Sequence, residues 1–134
     1  MYQTQDAYYR ISVKALIQDN EWRFLFTYNI DNVRDLIWWG LDHGETPQEW
    51  LIREVREESW LTVTKVEDMP YYFDTCQTKS GIRRSNVYYK AQVSSFDILP
   101  TAECLEVKFF GKDDIADTPM YDNLKRTMIF LTQQ

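Results

Sequence analysis

The stretch 44–61, GETPQEWLIREVREESWL, constrains the fold more than any other part of this 134-residue chain. Thr46 is suited to capping a helix, Pro47 to the first helical position, and Glu49, three residues after Thr46, to the return bond of a capping box. At about 100° per residue, Leu51, Ile52 and Val55 share one arc, which predicts that all three face a core. The helix is expected to end near Ser59 or Trp60. Beside the apolar arc stand Glu54, Glu57 and Glu58, whose spacings of three and four put three carboxylates on one face. Like charges so arranged repel, and a cation among them relieves the repulsion. A hard divalent ion such as Mg²⁺ suits the place, because it takes oxygen ligands and is usually held by one or two carboxylates plus waters and substrate phosphates. Arg53, four residues before Glu57, is spaced to pair with it. Taken alone, a run of glutamates on a helix reads as a solvated face.

Strand signals surround this helix. Residues 9–17 (YRISVKALI) alternate and are rich in branched side chains, Asp19 and Asn20 mark a turn, and 22–28 (WRFLFTY) follow, which predicts a hairpin. Residues 29–35 read as a polar loop and 36–41 (LIWWGL) as a short apolar strand. Further strands are expected at 61–66, 71–75 and 87–93, with a polar turn at 79–86 (KSGIRRSN). A last strand at 107–110 and an amphipathic helix at 123–131 complete the pattern. Strands and helices of these sizes indicate an α+β chain, one mixed sheet with helices packed on it. No repeat, low-complexity tract or linker divides it, so 1–134 is read as one domain.

Composition narrows the function. With 44% hydrophobic and 16% aromatic residues the chain can bury a core. A net charge of −6 argues against nucleic acid or an anionic membrane as a partner, since phosphates need cations opposite them. No apolar run approaches the ~20 residues of a membrane span, and the start MYQTQDAYYR lacks the features of a signal peptide. Cys76 and Cys104 could pair, but two reduced thiols in the cytoplasm are the simpler reading. His43 is the only histidine, which gives poor support to a multi-histidine metal site or a Ser-His-Asp triad, and no P-loop motif occurs.

The helix and its flanks resemble the signature of the Nudix hydrolases, the MutT-like pyrophosphohydrolases: G-x5-E-x7-R-E-U-x-E-E-x-G-U, with U a bulky aliphatic residue. Seven of the nine specified positions match, at Glu45, Arg53, Glu54, Val55, Glu57, Glu58 and Leu61. The five charged ones alone would coincide by chance about once in a million starts. Both motif glycines are replaced, by Trp39 and Trp60, and the glycine run common before the helix reads Leu36-Ile37-Trp38-Trp39 with Gly40 one position late. An indole at 39 narrows a place where glycine allows close approach. A Trp at 60 adopts a left-handed helix end only with strain, so a different helix end is expected. Trp50 also stands where the family often has a small residue.

The resemblance implies an α/β/α sandwich with a mixed sheet between helices. It also implies Mg²⁺-dependent hydrolysis, with Mn²⁺ as a substitute, of a diphosphate linkage in a nucleoside diphosphate joined to another moiety. Glu57 and Glu58 would be the leading metal ligands, Glu54 a further ligand or base, and the backbone carbonyl of Trp39 an extra ligand. Arg53 would orient a carboxylate, and Glu45 would hold the loop or reach metal or substrate through water. In several relatives a later loop supplies the base, for which Glu106 and Glu103 are the local candidates. Lys79, Arg83 and Arg84 are placed to meet substrate phosphates, although an ordinary charged turn is the plainer reading. His43 reads as a solvated loop residue. Homodimers are frequent among relatives, but no feature of this sequence shows one. Residues 76–79 carry neither the proline of ADP-ribose cleavers nor the tyrosine of diadenosine polyphosphate cleavers. The alternative readings are a nucleotide-binding or regulatory Nudix domain of weak or no activity, and an interaction module with an accidental motif.

Overall fold

The computed structural model describes residues 7–28, 32–97 and 107–134; Glu103, Cys104 and Glu106 lie outside them. The elements run β1 (Arg10–Leu16), β2 (Phe24–Tyr28), β3 (Arg34–Asp35), β4 (Trp38–Gly40), α1 (Pro47–Ser59), β5 (Val63–Val66), β6 (Tyr72–Gln77), β7 (Arg83–Val93), β8 (Val107–Phe110), α2 (Lys112–Ile115) and α3 (Asp122–Thr132). A five-stranded sheet has the order β4-β1-β7-β5, with β6 also along β7. Only β1 and β7 run parallel in it; the other pairs are antiparallel. The long β7 carries β5 and β6 end to end on one edge, and the N–H of Tyr71 donates to the Tyr88 carbonyl (2.7 Å) where the chain passes between them. A smaller sheet has the order β3-β2-β8.

The expected hairpin survives only at its base. Asp19 closes the turn, its Oδ1 accepting the N–H groups of Glu21 (2.9 Å) and Arg23 (3.0 Å), and Gln18 bridges Phe24. Beyond that point the strands part, because β4 and β7 occupy both edges of β1 and leave β2 to pair with β3 and β8. The turn expected at 79–86 is shorter. It closes between Thr78 and Ile82 (N–H to carbonyl 2.8 Å), with Gly81 at φ 90°, and Arg83 already belongs to β7. Part of the loop expected at 29–35 is strand as well: Arg34 and Asp35 form β3 and are buried. Their charges are met inside, Asp35 by Lys14 at 3.0 Å and Arg34 by the ring of Tyr28, 3.6 Å from its guanidinium carbon.

Two apolar clusters flank the large sheet. One holds Val13, Ala15, Tyr89 and Ala91 of the sheet with Leu51 and Val55 of α1. The other holds Leu16 and Tyr88 with Leu124 and Met128 of α3. Helices thus cover both faces, which is the α/β/α sandwich that the resemblance implies. Within α1, Leu51 and Val55 are buried as expected, whereas Ile52 is 45% exposed. The inward stripe is narrower than the arc drawn from sequence and continues at Ser59, an i, i+4, i+8 row.

Candidate active site

Helix α1 begins as its sequence dictates. Thr46 Oγ1 accepts the N–H of Glu49 (3.3 Å) and Pro47 takes the first position. The loop before it depends on Gly44, whose φ of 84° favours glycine. Glu45 secures that loop locally: its Oε2 accepts the N–H of Asp42 at 3.3 Å. Asp42 is held in turn by Arg10, Nη2 to Oδ1 at 2.8 Å, and this hydrogen bond lowers the Asp42 carboxyl below the usual carboxylate range. His43 is exposed beside them.

With Leu51 and Val55 turned inward, Glu54 and Glu58 fall at the margin of the helix, half-buried, and Glu57 faces outward. Arg53 Nε approaches Glu57 Oε1 at 3.6 Å, the i, i+4 contact that the spacing predicts. The same guanidinium lies on Trp50, its central carbon 3.3 Å from the ring centroid. Arg56 is engaged elsewhere, donating to Thr62 Oγ1 (2.8 Å) and sitting 5.3 Å from the Trp60 ring. Of the two arginines of α1, Arg53 is the one that contacts Glu57.

The helix ends as a glycine-terminated one would, contrary to the expectation of a different end. Trp60 takes φ 62°, ψ 8° and its N–H reaches the Arg56 carbonyl at 2.9 Å. The geometry is enforced from both sides: Leu61 is buried, and Ser59 Oγ donates to the Val55 carbonyl (2.6 Å) while accepting the Leu61 N–H (3.2 Å). Trp60 itself stays 54% exposed.

Trp38 and Trp39, adjacent in β4, go to opposite faces of the sheet. Trp39 is buried in the apolar cluster beneath α1, and its indole Nε1 meets no hydrogen-bond partner among the described residues. The Leu41 N–H donates to Ile11 and the Ala15 N–H to Ile37, so the intervening Val13–Trp39 pair occupies a hydrogen-bonded position of the ladder. The Trp39 carbonyl therefore turns toward β1, and those of Trp38 and Gly40 toward the outer edge of β4. The Trp38 ring lies on the other face, 4.9 Å from the Arg84 guanidinium carbon and 5.9 Å from Lys14 Nζ.

Arg84 also donates to Ser12 Oγ at 2.9 Å, which fixes it on the face opposite α1. Arg83 is exposed and, as its strand neighbour, points the other way. Lys79 is exposed in the turn. Sequence reasoning passed over the polar groups on this second face. Lys14 and Asp35 form an ion pair with side chains 8% and 5% exposed. Asp74 accepts from Asn86 (2.8 Å), Tyr88 (3.1 Å) and Thr127 (2.5 Å), which ties α3 to the sheet. The available signal was the inward parity of Ser12, Lys14 and Leu16 in an otherwise apolar strand.

Among the described residues, no three histidine, cysteine or acidic side chains converge into a ready metal cage. The donors on α1 nonetheless suit Mg²⁺, which relies on one or two carboxylates and completes its shell with water and phosphate. Free Cys76 lies on β6. No described helix is long and apolar enough to cross a membrane.

No protein-family model and no curated protein matches the sequence. Solved structures do match the fold. A MutT protein from Methanosarcina mazei Go1 superposes with a TM-score of 0.78 at 19% identity, over 97% of this chain and 96% of that one. A NUDIX-family hydrolase from Clostridium perfringens gives 0.74 at 16% identity, over 95% and 98%. The NUDIX domain of Shewanella oneidensis NrtR, solved as a complex with ADP ribose, gives 0.72 at 15% identity, over 96% and 88%. At such identities the likeness is one of fold, and that fold is the Nudix fold.

Proposed function

We propose that this Nudix-fold chain is a Mg²⁺-dependent hydrolase, with Mn²⁺ as a substitute, cleaving a diphosphate linkage in a nucleoside diphosphate joined to another moiety. One observation carries the reading. On a helix capped and terminated like that of the motif, the inward stripe of Leu51, Val55 and Ser59 leaves Glu54 and Glu58 at its margin and Glu57 outward beside them, with Arg53 against Glu57 at 3.6 Å. Glu57 and Glu58 would hold the ion, and Glu54 would be a further ligand or the base. When bound, Mg²⁺ neutralises charge on the phosphate oxygens and lowers the pKa of an attacking water. Arg53 orients Glu57, and Glu45 keeps the loop before α1 in shape through Asp42. A main-chain carbonyl of β4 is the extra ligand. Trp39 is the sequence candidate; its carbonyl faces β1, whereas that of Trp38 turns to the outer edge of β4. Glu106, or Glu103 near it, supplies the base from the later loop.

Arg83 and Arg84 are the proposed phosphate contacts. Their opposite directions on β7 let any one phosphate meet only one of them. The substrate is a small nucleotide, and no nucleic acid or membrane is involved. The chain acts as one domain in the cytoplasm, and a homodimer is compatible with this reading.

A second reading, a nucleotide-binding module without turnover, is favoured by Trp39, whose buried indole fills the place of the first motif glycine. The NrtR domain with ADP ribose is an example of this fold in a ligand complex. Phosphate release across a panel of nucleotide conjugates, with and without Mg²⁺ and beside Glu57→Gln, separates the readings. Hydrolysis predicts metal-dependent turnover that falls more than about 100-fold in the variant, with an unchanged melting temperature. Calorimetric binding without release supports the module, and silence in both assays sinks both readings.

A further inference from the structure

The two arginines of α1 raise a question of pairing. Arg53 has glutamates four residues away on both sides, Glu49 before it and Glu57 after it. On an isolated helix the pair with the acid on the N-terminal side is the better one, which would send Arg53 to Glu49. The guanidinium instead contacts Glu57, and no ion pair joins Arg53 to Glu49 among the described residues. Trp50 accounts for the choice. Its inner side packs on the apolar cluster beneath α1, so the ring is held from below. The ring carries the Arg53 guanidinium, whose central carbon stands 3.3 Å from the centroid, on the side of Arg53 away from Glu49. With the plane resting on the ring, Nε is the nitrogen turned to Glu57. Arg56 marks the contrast: it is drawn to Thr62 and Trp60.

We propose that Trp50 is a positioning residue of the active site: it fixes the Arg53 guanidinium so that Arg53 orients Glu57 for the metal. The inference rests on the reading of α1 as the metal-binding helix. It gives a role to an aromatic residue at a motif position outside the charged set. The indole acts through Arg53 and touches neither metal nor substrate.

The test uses the whole chain as wild type, Trp50→Leu and Trp50→Phe. Leucine keeps the apolar packing and removes the ring face; phenylalanine keeps both, with a weaker face. Each protein is titrated with Mn²⁺ alone by electron paramagnetic resonance, and the Arg53 Nε–H signal is followed by NMR without metal. Wild type and Trp50→Phe should show that signal displaced by the ring current and bind Mn²⁺ within about two-fold of each other. Trp50→Leu should lose the displacement and bind Mn²⁺ about two- to five-fold more weakly, the factor that an exposed cation–π contact represents. In an Arg53→Gln background Trp50→Leu should have no further effect. Equal isotherms for the leucine and phenylalanine variants, or a leucine effect that persists without Arg53, would overturn the role of Trp50 alone. A wild type with a displaced signal and no Mn²⁺ binding would overturn the metal reading of α1, and this role with it.

Discussion

The two faces of the large sheet are built on different principles. Under α1 the contacts are apolar, with Val13, Ala15, Trp39, Leu51 and Val55 in one cluster. Under α3 the sheet buries polar groups among its apolar ones: Lys14 against Asp35, and Asp74 receiving Asn86, Tyr88 and Thr127. Adjacent tyrosines show the difference within two residues. Tyr88 faces α3 and donates to Asp74, whereas Tyr89 faces α1 and only burial raises its hydroxyl above the ordinary value. Buried charges thus do not mark the face that is proposed to work. Those under α3 satisfy one another inside the fold, while the carboxylates proposed to work, Glu54, Glu57 and Glu58, are half-buried or exposed on α1.

The largest effect that can break this contrast comes from the polar face. Lys14→Met leaves Asp35 buried without its cation and should cost about 3–5 kcal/mol of stability by urea denaturation. The double variant Lys14→Met/Asp35→Leu should recover most of that, and a double variant as weak as the single one would show that the pair was not the cause. On the apolar face Leu51→Ala should cost about 2–4 kcal/mol through lost transfer energy and a cavity, with no rescue by any single polar change opposite it.

Alkaline pH sharpens the comparison between the tyrosines. Burial first, and Asp74 second, raise the Tyr88 hydroxyl well above its ordinary value. An unfolded tyrosine titrates near pH ~10. The stability held by protonated Tyr88 is therefore complete below that pH and is lost as pH climbs toward the folded value. At most the loss is about 1.4 kcal/mol per pH unit for one proton. Tyr88→Phe should flatten the alkaline fall of stability more than Tyr89→Phe does, and equal slopes would erase the distinction between the faces. The smallest effect lies at the end of α1, which belongs to neither face. Trp60→Gly relieves a left-handed tryptophan at φ 62°, and should raise stability by about 0.5–1 kcal/mol after the entropy of glycine is offset.

Much of the candidate site was legible because it is local. Thr46, Pro47 and the spacing of Arg53, Glu54, Glu57 and Glu58 specify a capped helix and a carboxylate face with no knowledge of the rest of the chain. A tryptophan at 60 argues against a left-handed helix end, yet the buried Leu61 and the two bonds of Ser59 impose that end regardless. The tryptophans of β4 were not separable from sequence either. Alternation sends Trp38 and Trp39 to opposite faces, but which face lies under α1 depends on the pairing of β4 with β1.

By itself the sequence determined the two long helices, most of the strands (though not β3 or the start of β7) and which side chains form the charged set, because turn chemistry, capping and periodicity act over a few residues. Tertiary structure alone decided that β2 leaves β1 for a second sheet, that Arg34, Asp35 and Lys14 are interior residues, and that Arg53 rests on Trp50 and turns to Glu57. Those outcomes depend on which edges are already taken and which charges find partners across the fold, and a linear pattern carries neither.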